Sequence, residues 1–345
     1  MKSTFITDQL TIYSVTIPVV ASTWSRSDYW STVRVRWSIG RMKYRVDPGI
    51  YAVGTPNRNS RVFVTANFKL SFDHLRRGLD GMNAWILVLD TRGINVWCAA
   101  GKGTFGTKEL VHRIRIHHLD KLVDHRKLIL PQLGATGVAA HEVKRMTGFT
   151  ILYGPVRAGD IKAFIESGLK ATEAMRTVNF PLVDRLKLIP VELAYGRYYL
   201  LLVPVFFVLL AGLNPSGYSI NLALSNGGKA VVNILAAYLA GCAITPAALP
   251  WIPVRPFSMK GLIAGWVLAT PLAFFGFLGS GTIEILSWIL MIGGLSAFMA
   301  MNFTGSSTFT SLSGVKKEMK IALPVQIAMV SLGLAGWIIT RFISL

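Results

Sequence analysis

The sequence predicts a doubly wound, Rossmann-like α/β domain followed by an all-α transmembrane domain of five helices. The first observation behind this prediction is the distribution of charge along the 345 residues. Residues 1–190 hold 28 Lys and Arg and 14 Asp and Glu, whereas residues 191–345 hold 8 and 3. The second is that strand-like and helix-like runs alternate in the front half. The third is a series of long apolar segments in the rear half.

The front half is typical of a sheet covered by helices. Four short aliphatic runs have the length of buried parallel strands, namely Val62–Ala66, Trp85–Asp90, Lys127–Leu130 and Phe149–Tyr153. Helical candidates lie between and after them, at Ser71–Gly81, Lys108–Ile114, Gly137–Thr147 and Gly159–Ser167. Strands that alternate with helices predict a doubly wound sheet, in which ligands bind beyond the carboxyl ends of the strands.

The rear half contains five apolar segments of roughly the 20 residues that span a bilayer. They are, approximately, Leu193–Leu213, Ala230–Trp251, Gly261–Leu278, Ile283–Asn302 and Ile321–Thr340. Loops that hold Lys and Arg alternate with loops that hold neither. The positive-inside rule therefore predicts a multi-pass protein of the inner (cytoplasmic) membrane, with membrane lipid as a partner and the N-terminal domain in the cytoplasm.

These patterns divide the chain into an N-terminal segment without an assigned role (1–45), an α/β domain (46–185) and a transmembrane domain (186–345). Composition also excludes several classes of function. Two cysteines, Cys98 and Cys242, are too few for a disulfide framework or for an iron–sulfur cluster held by this chain alone. The net charge of +19 comes without a basic helix or an RNA-binding aromatic signature. We therefore expect attraction to lipid or to an acidic partner, and no nucleic acid.

Glycine-rich loops follow the predicted strands, at 91–107, 131–137 and 154–157. Because glycine lets the backbone approach a ligand closely, three such loops at one edge suggest a broad ligand, although ordinary turns also use glycine. The run Gly101–Gly106 has the GxGxxG spacing of a dinucleotide site. It does not directly follow a strand, and no acidic ribose partner is evident, so this interpretation is disfavoured.

Cys98 is the single cysteine of the front half, and residues alone leave three roles open for it. A buried, inert thiol is the commonest fate of a lone cysteine. A nucleophile would need a base, and the candidates are His112, His117, His118, His125 and His141. A metal ligand would need a cofactor that supplies the remaining ligands.

The stretch NVWCAAGKGTFGT, residues 95–107, resembles the cap-helix motif of the mercury-methylating corrinoid membrane proteins. Residues 48–158 resemble the corrinoid-binding domain of the corrinoid iron–sulfur proteins of the acetyl-CoA pathway. The matching runs are PGIYAVG (48–54), VTANFKLSFD (64–73), WILVLDTRGINVWCAAGKGTFGT (85–107), PQLGATGV (131–138) and LYGPVRAGDI (152–161). The loop NFTGSSTFTS, residues 302–311, is also similar to the mercury-methylating family. The chain departs from the acetyl-CoA-pathway proteins in lacking cluster-binding cysteines and their additional barrel domain.

The resemblance implies a cobalamin-like corrinoid cofactor, with Cys98 as catalytic residue and lower axial ligand of cobalt. The sequence has no Asp-x-His-x-x-Gly motif, by which other corrinoid proteins supply a histidine instead. The predicted cofactor contacts in the cap motif are Asn95, Trp97, Cys98, Ala99, Gly101 and Lys102, although Trp97 could equally pack in the core and Lys102 could simply be solvated. By their position on the surrounding rim, Thr65, Asn67, Gly134, Thr136 and Gly154 are predicted as further contacts.

The reaction that the resemblance implies is transfer of a methyl carbanion equivalent from methyl-cobalt to Hg(II), which gives methylmercury. Two electrons per turnover must then come from a partner, which the resemblance implies is a small ferredoxin with two [4Fe-4S] clusters. A methyl donor protein or a methyl-folate system would supply the methyl group. The alternatives are a membrane corrinoid protein that carries methyl groups to another acceptor, or a corrinoid transport or regulatory protein. Transporters usually bury ionisable residues in their spans, and here Glu284 and Lys229 lie near span ends.

Overall fold

The computed structural model describes residues 5–12, 15–307, 309 and 312–343. The chain forms two compact units. The first, here called the sheet unit, comprises Met1–Val35 and Ile39–Asn179. The second, the helical unit, comprises Arg36–Ser38 and Phe180–Leu345.

The sheet unit is built on a mixed β-sheet, in which the described residues form seven strands. These are β1 (Ile6–Ile12), β2 (Val15–Val20), β3 (Gly49–Val53), β4 (Arg61–Ala66), β5 (Ala84–Leu89), β6 (Lys127–Leu130) and β7 (Thr150–Tyr153). Their order across the sheet is β1-β2-β3-β5-β4-β6-β7. Strands β5, β4, β6 and β7 are parallel, β3 runs antiparallel to β5, and β1 and β2 form an antiparallel hairpin.

The four predicted strands are confirmed as the parallel part of the sheet, but the prediction missed the three strands before them. β3 has all five residues buried, so it shows no alternation that would mark it as a strand beside solvent. Its antiparallel pairing with β5 joins residues 31 to 39 positions apart, which no local pattern reports. The hairpin β1–β2 lies within the N-terminal segment to which the sequence assigned no role. The sheet is therefore mixed rather than purely parallel.

The sheet unit also contains short helices. They are α1 (Arg26–Arg36), α2 (Lys69–Gly78), α3 (Val96–Gly101), α4 (Thr107–Ile116), α5 (Leu119–Leu122), α6 (Ala140–Thr147), α7 (Ile161–Glu166) and α8 (Glu173–Arg176).

Strand residues alternate between two apolar cores. One core joins Val64 and Leu87 to α4 and α6, and the other joins Phe63 and Ile86 to α2 and α7. Helices thus cover both faces of the sheet, which confirms the doubly wound arrangement of the parallel strands.

Three buried charged side chains and the partly buried Lys69 join the start of α1 to α2. Asp28 accepts a hydrogen bond from Lys69 at 3.1 Å and forms an ion pair with Arg76 at 2.9 Å. Asp73 accepts from the same two cations at 2.6 and 2.8 Å. Because the two carboxylates and two cations balance, this group can remain buried without an uncompensated charge.

The helical unit contains α9 (Leu182–Leu186), α10 (Ile189–Tyr195), α11 (Tyr199–Ala211), α12 (Ile220–Leu239), α13 (Thr245–Ala248), α14 (Phe257–Phe274), α15 (Thr282–Asn302) and α16 (Leu312–Ile339), with a short hairpin of β8 (Leu213–Asn214) and β9 (Gly217–Tyr218). Four described helical segments are long and apolar enough to cross a membrane: Ile220–Ala248, Phe257–Phe274, Thr282–Gly305 and Ser313–Ile339. The pair Leu182–Tyr195 and Tyr199–Ala211 would make a fifth if it crosses as one bent span.

The helical unit differs from the sequence prediction in three respects. The first predicted span is not one helix but bends by 54° around Gly196, where a β-carbon would lie 2.2 Å from the Tyr238 hydroxyl oxygen. Residues 312–320, which precede the last predicted span Ile321–Thr340, belong to α16. Arg185, Glu192 and Lys260 are buried beside the apolar segments, although the sequence placed ionisable groups at Glu284 and Lys229. Thr308, Thr310 and Ser311 of the predicted loop lie outside the described residues.

Candidate functional site

The candidate site begins at the turn after β5, at the carboxyl edge of the parallel strands. Buried Asn67, just beyond the end of β4, holds this turn. Its Oδ1 accepts from the backbone N–H groups of Thr91 and Gly93 at 3.1 and 2.9 Å and from the Thr91 hydroxyl at 2.9 Å. Its Nδ2 donates to Asp90 at 3.1 Å. Arg92 and Gly93 take positive φ angles of 58° and 74°, so the chain turns sharply before α3.

Asn95 fixes where α3 begins. Its side chain accepts from the backbone N–H of Cys98 at 2.9 Å, which is an N-cap hydrogen bond. The helix buries Val96 and Ala99 together with Ala100, and leaves Trp97 and Cys98 exposed. The cap therefore places Cys98 in the first turn of the helix, on its solvent side.

The Cys98 thiol is exposed, and in the described part of the chain it makes no hydrogen bond. The alternative of a buried, inert thiol is therefore wrong for Cys98. A nucleophile would need a base within hydrogen-bond reach, and no described histidine provides one. Metal ligation by Cys98 stays a prediction. Cys242, in contrast, is buried in the helical unit, as expected of a small packing residue.

The turn after α3 is packed against the loop that follows β6. The backbone N–H groups of Thr104 and Phe105 both donate to Ala99 O, at 2.9 and 3.1 Å. A β-carbon on Gly134 would lie 2.5 Å from the Phe105 ring, and one on Gly137 would lie 2.1 Å from the Phe105 carbonyl oxygen. These two glycines thus admit the cap motif itself. The sequence suggested that the glycines of this loop let an external ligand approach closely. At these two positions, Phe105 occupies the space instead.

The predicted site residues fall into an exposed and a buried group. Trp97, Cys98, Gly101, Lys102 and Thr136 are exposed, and Trp97 has 39% of its surface exposed. Thr65, Asn67, Ala99, Gly134 and Gly154 are buried, and Asn95 is intermediate. The turn Gln132–Gly134 contacts α3, so the structure brings the loop after β6 to the Cys98 helix. The buried residues are part of the packed sheet unit, and the exposed group is available to a ligand.

Three positioning residues escaped the sequence analysis. Glu109 accepts from the Asp90 N–H at 2.8 Å, which ties α4 to the turn after β5. The Thr107 hydroxyl accepts at 2.8 Å from the backbone N–H of Ala139, the residue just before α6. The Tyr153 hydroxyl donates to Val138 O at 2.7 Å, and burial raises the pKa of this tyrosine, so it stays a donor at neutral pH. The sequence signal that could have identified them is their position in or next to the glycine-rich loops.

The edge carries positive charge. The stretch 91–108 contains Arg92, Lys102 and Lys108, all exposed, and no acidic residue. An anionic ligand or an acidic partner would therefore be attracted to it.

Cys98 can supply one ligand to a metal at this edge, but not a complete set. Among the described residues, no three His, Cys, Asp or Glu side chains lie close enough to hold an ion. A metal bound by Cys98 would have to bring its other ligands with it. A cavity of about 310 Å³ lined by Arg61, Met82 and Lys162 lies at the amino ends of β4 and β5, at the opposite edge of the sheet.

The part of the chain that forms this edge is similar to known proteins. Residues 37–165 match the family model described as CO dehydrogenase/acetyl-CoA synthase delta subunit. The acetyl-CoA decarbonylase/synthase complex subunit gamma of Archaeoglobus fulgidus is 32% identical over 140 residues, 39% of this chain and 29% of the relative. The subunit of the same name from Methanopyrus kandleri is 30% identical over 128 residues, 36% of this chain and 27% of the relative. The corrinoid/iron-sulfur protein large subunit of Moorella thermoacetica is 29% identical over 127 residues, 36% of this chain and 28% of the relative.

The matched range contains β3 to β7, the Asn67 turn and the Cys98 helix, and it ends before the helical unit. The predicted resemblance to the corrinoid iron–sulfur protein of the acetyl-CoA pathway is confirmed for this domain. This chain spans less than a third of the length of these relatives. The resemblance of the cap motif to the mercury-methylating proteins stays a prediction.

Proposed function

We propose that this chain is a corrinoid-dependent methyltransferase of the cytoplasmic membrane that transfers a methyl group to Hg(II). The observation that carries the proposal is the exposed Cys98 thiol, which makes no hydrogen bond to any described residue and lies on a capped helix at the carboxyl edge of the sheet. The similarity of residues 37–165 to corrinoid proteins supports the cofactor, and the cap motif supports the acceptor.

The residues at this edge fit a corrinoid. A corrin ring supplies four nitrogen ligands to its cobalt, so the protein needs to add a single donor, and Cys98 is a single donor. Exposed Trp97, Gly101, Lys102 and Thr136 would then contact the ring or its side chains. Asn67, whose side-chain oxygen already accepts three hydrogen bonds, would support the ring indirectly by holding the turn before α3.

When bound, the corrinoid would supply the methyl group. Cys98, as a thiolate, would donate electron density to the metal. This parallels the electron donation by a cysteine axial ligand to haem iron. Hg(II) is an electrophile and takes the methyl group together with its bonding electron pair, so an electron-rich ligand favours the transfer. The role of Cys98 is therefore to make the methyl group a carbanion equivalent.

The electron balance requires partners. Each methyl group that leaves with its electron pair must be balanced by two electrons before a cationic methyl donor can react again. No described group of side chains could hold an iron–sulfur cluster. We propose that a ferredoxin with two [4Fe-4S] clusters supplies the electrons and that a methyl donor protein or methyl-folate supplies the methyl group. The cationic edge around Lys102 would attract an acidic ferredoxin.

The apolar helices support a membrane location. The described residues include four segments long and apolar enough to span a bilayer, or five with the bent pair. By the positive-inside rule, the basic sheet unit and the start of α16, which holds Lys316, Lys317 and Lys320, would lie in the cytoplasm. This location gives the sheet unit access to soluble electron and methyl donors.

The first test is spectroscopic and uses the full-length protein, reconstituted with a corrinoid in detergent. We expect corrin absorption in the visible range and a Co(II) paramagnetic resonance signal that changes in Cys98→Ala. Cys242→Ala is the matched control, because its thiol is buried in the helical unit, and it should leave the signal unchanged. A protein without corrin absorption would refute the cofactor, and an unchanged signal in Cys98→Ala would refute the ligand.

The second test measures methylmercury formed by cells that express each variant. Cys98→Ala should abolish methylation, whereas Cys242→Ala should retain it. A corrinoid protein with the expected Cys98 signal but no methylmercury would instead be a methyl carrier for another acceptor.

A further inference from the structure

The outward side of α1 carries large apolar side chains. Trp30 is 69% exposed and Val33 is 45% exposed, and Met42, in the turn after the helix, is 84% exposed. Trp30 and Val33 are three residues apart and therefore lie on one face of the helix. The opposite side of α1 is buried through Asp28 and Val35. Apolar side chains of this size are costly to leave in water, which indicates that something covers them.

Cations surround these apolar side chains. Residues 26–45 contain six Lys and Arg and one acidic residue, Asp28. Asp28 is 3% exposed and is paired with Lys69 and Arg76, so it does not offset the cations on the outward side. Arg26, Arg34 and Lys43 are all exposed. Tryptophan beside Arg and Lys is the composition that the interface of an anionic membrane selects.

The chain connects this surface directly to the unit that contains the candidate spans. α1 runs directly into Arg36–Ser38, which pack within the helical unit, the unit that contains the candidate spans. A surface tethered in this way meets lipid at a much higher effective concentration than it meets a soluble protein. The match to the family model begins at residue 37, so α1 lies outside the matched residues.

We infer that this surface, formed by Trp30, Val33, Arg26 and Arg34 and here called the α1 face, rests in the headgroup region of an anionic bilayer. The aromatic and aliphatic groups enter the interface, and the guanidinium groups pair with lipid phosphates. The inference depends on the membrane location proposed above and adds to it a second, peripheral contact made by the sheet unit. It also gives a role to part of the N-terminal segment that the sequence left without one.

The test places a nitroxide label at single sites in the full-length protein, with Cys98 and Cys242 replaced by Ala. The protein is reconstituted in nanodiscs of phosphatidylcholine with phosphatidylglycerol. Val33→Cys reports the α1 face, Lys144→Cys reports an exposed site on α6, and Val267→Cys reports an exposed site on α14. Electron paramagnetic resonance then compares the accessibility of each label to oxygen, which enriches in lipid, and to a water-soluble nickel complex.

We expect the ratio of oxygen to nickel accessibility at position 33 to lie several-fold above that at position 144 and below that at position 267. Arg34→Glu, or nanodiscs without phosphatidylglycerol, should lower the ratio at position 33. Arg145→Glu on α6 is the matched control and should leave it unchanged.

Three results would overturn the inference. Position 33 could behave like position 144 while position 267 reports lipid, which would place the α1 face in water and leave the membrane location intact. Position 33 could be shielded from both reagents, which would mean that protein, such as a second copy, covers the face. Position 267 could itself report water, in which case the membrane location fails and the inference fails with it.

Discussion

At the scale of single residues, the candidate site depends on side chains that hold the backbone around Cys98 in place. Asn67 ties two strand ends together, and Asn95 caps α3 so that the Cys98 thiol faces solvent. Both are short amides whose oxygen accepts from backbone N–H groups, the chemistry that organises turns and helix starts. The exposure of Cys98 is thus a consequence of the hydrogen bonds made by its neighbours.

The glycines of the site provide a residue-scale prediction. Gly137→Ala should destabilise the sheet unit by about 2 kcal/mol, because its β-carbon would collide with the Phe105 carbonyl oxygen and overpacking costs about this much. Gly101→Ala is the control, since no atom lies within 4 Å of its β-carbon. Its effect should stay within about 1 kcal/mol. Calorimetry of the detergent-solubilised variants gives the unfolding temperatures to compare. Equal temperatures would show that the loop moves to admit the β-carbon without loss of stability.

At the scale of elements, the buried ion group between α1 and α2 makes their association depend on pH. Burial alone would raise the pKa of Asp28, but hydrogen bonds from Ser25, Arg76 and Lys69 lower it from 3.8 to about 2. A carboxyl whose pKa is lower in the folded state stabilises that state above its unfolded pKa. The stabilisation is lost as the pH falls from about 4 through 2, and it amounts to roughly 2 kcal/mol.

Asp28→Asn should therefore lower the free energy of unfolding by roughly 2 kcal/mol at pH 7. The difference from the wild type should shrink towards zero as the pH falls from about 4 to 2. Urea unfolding at a series of pH values measures this difference. Asp124→Asn removes an exposed pair with Arg58 and should change stability little at any pH. A pH-independent difference for Asp28→Asn would contradict the role of its ionised form.

At the scale of the whole molecule, the proposed membrane location predicts four or five crossings, depending on the bent pair α10 and α11. If the pair crosses once, five spans place Ser216, in the β8–β9 loop, outside and Arg255 in the cytoplasm with the sheet unit. Single cysteines at positions 216, 255 and 144, in a background without the native thiols, would be labelled with a membrane-impermeant maleimide. We expect label from outside at 216 and from the cytoplasmic side at 255 and 144. Cytoplasmic labelling at 216, with outside labelling at 255, would mean that the pair re-enters without crossing.

Much of this architecture could be predicted from local patterns. Buried parallel strands such as Trp85–Asp90 are continuous apolar runs, and spans are long apolar segments, so both are visible within about 20 residues of sequence. The doubly wound order of β4 to β7 and the position of Cys98 after β5 followed from these runs. The charge difference between the halves separated the sheet unit from the helical unit without reference to any contact.

Other features depend on residues far apart in the chain, and the tertiary structure decided them. β3 pairs with β5 across the intervening β4 and α2, Gly196 bends the first apolar segment because Tyr238 packs against it, and Gly134 admits Phe105 rather than a ligand. Cys98 is the clearest case. Its residue type and motif are local, and they named it as a candidate. Whether its thiol was buried or exposed depended on which face of a six-residue helix packs against the sheet unit, and only the folded chain determines that face.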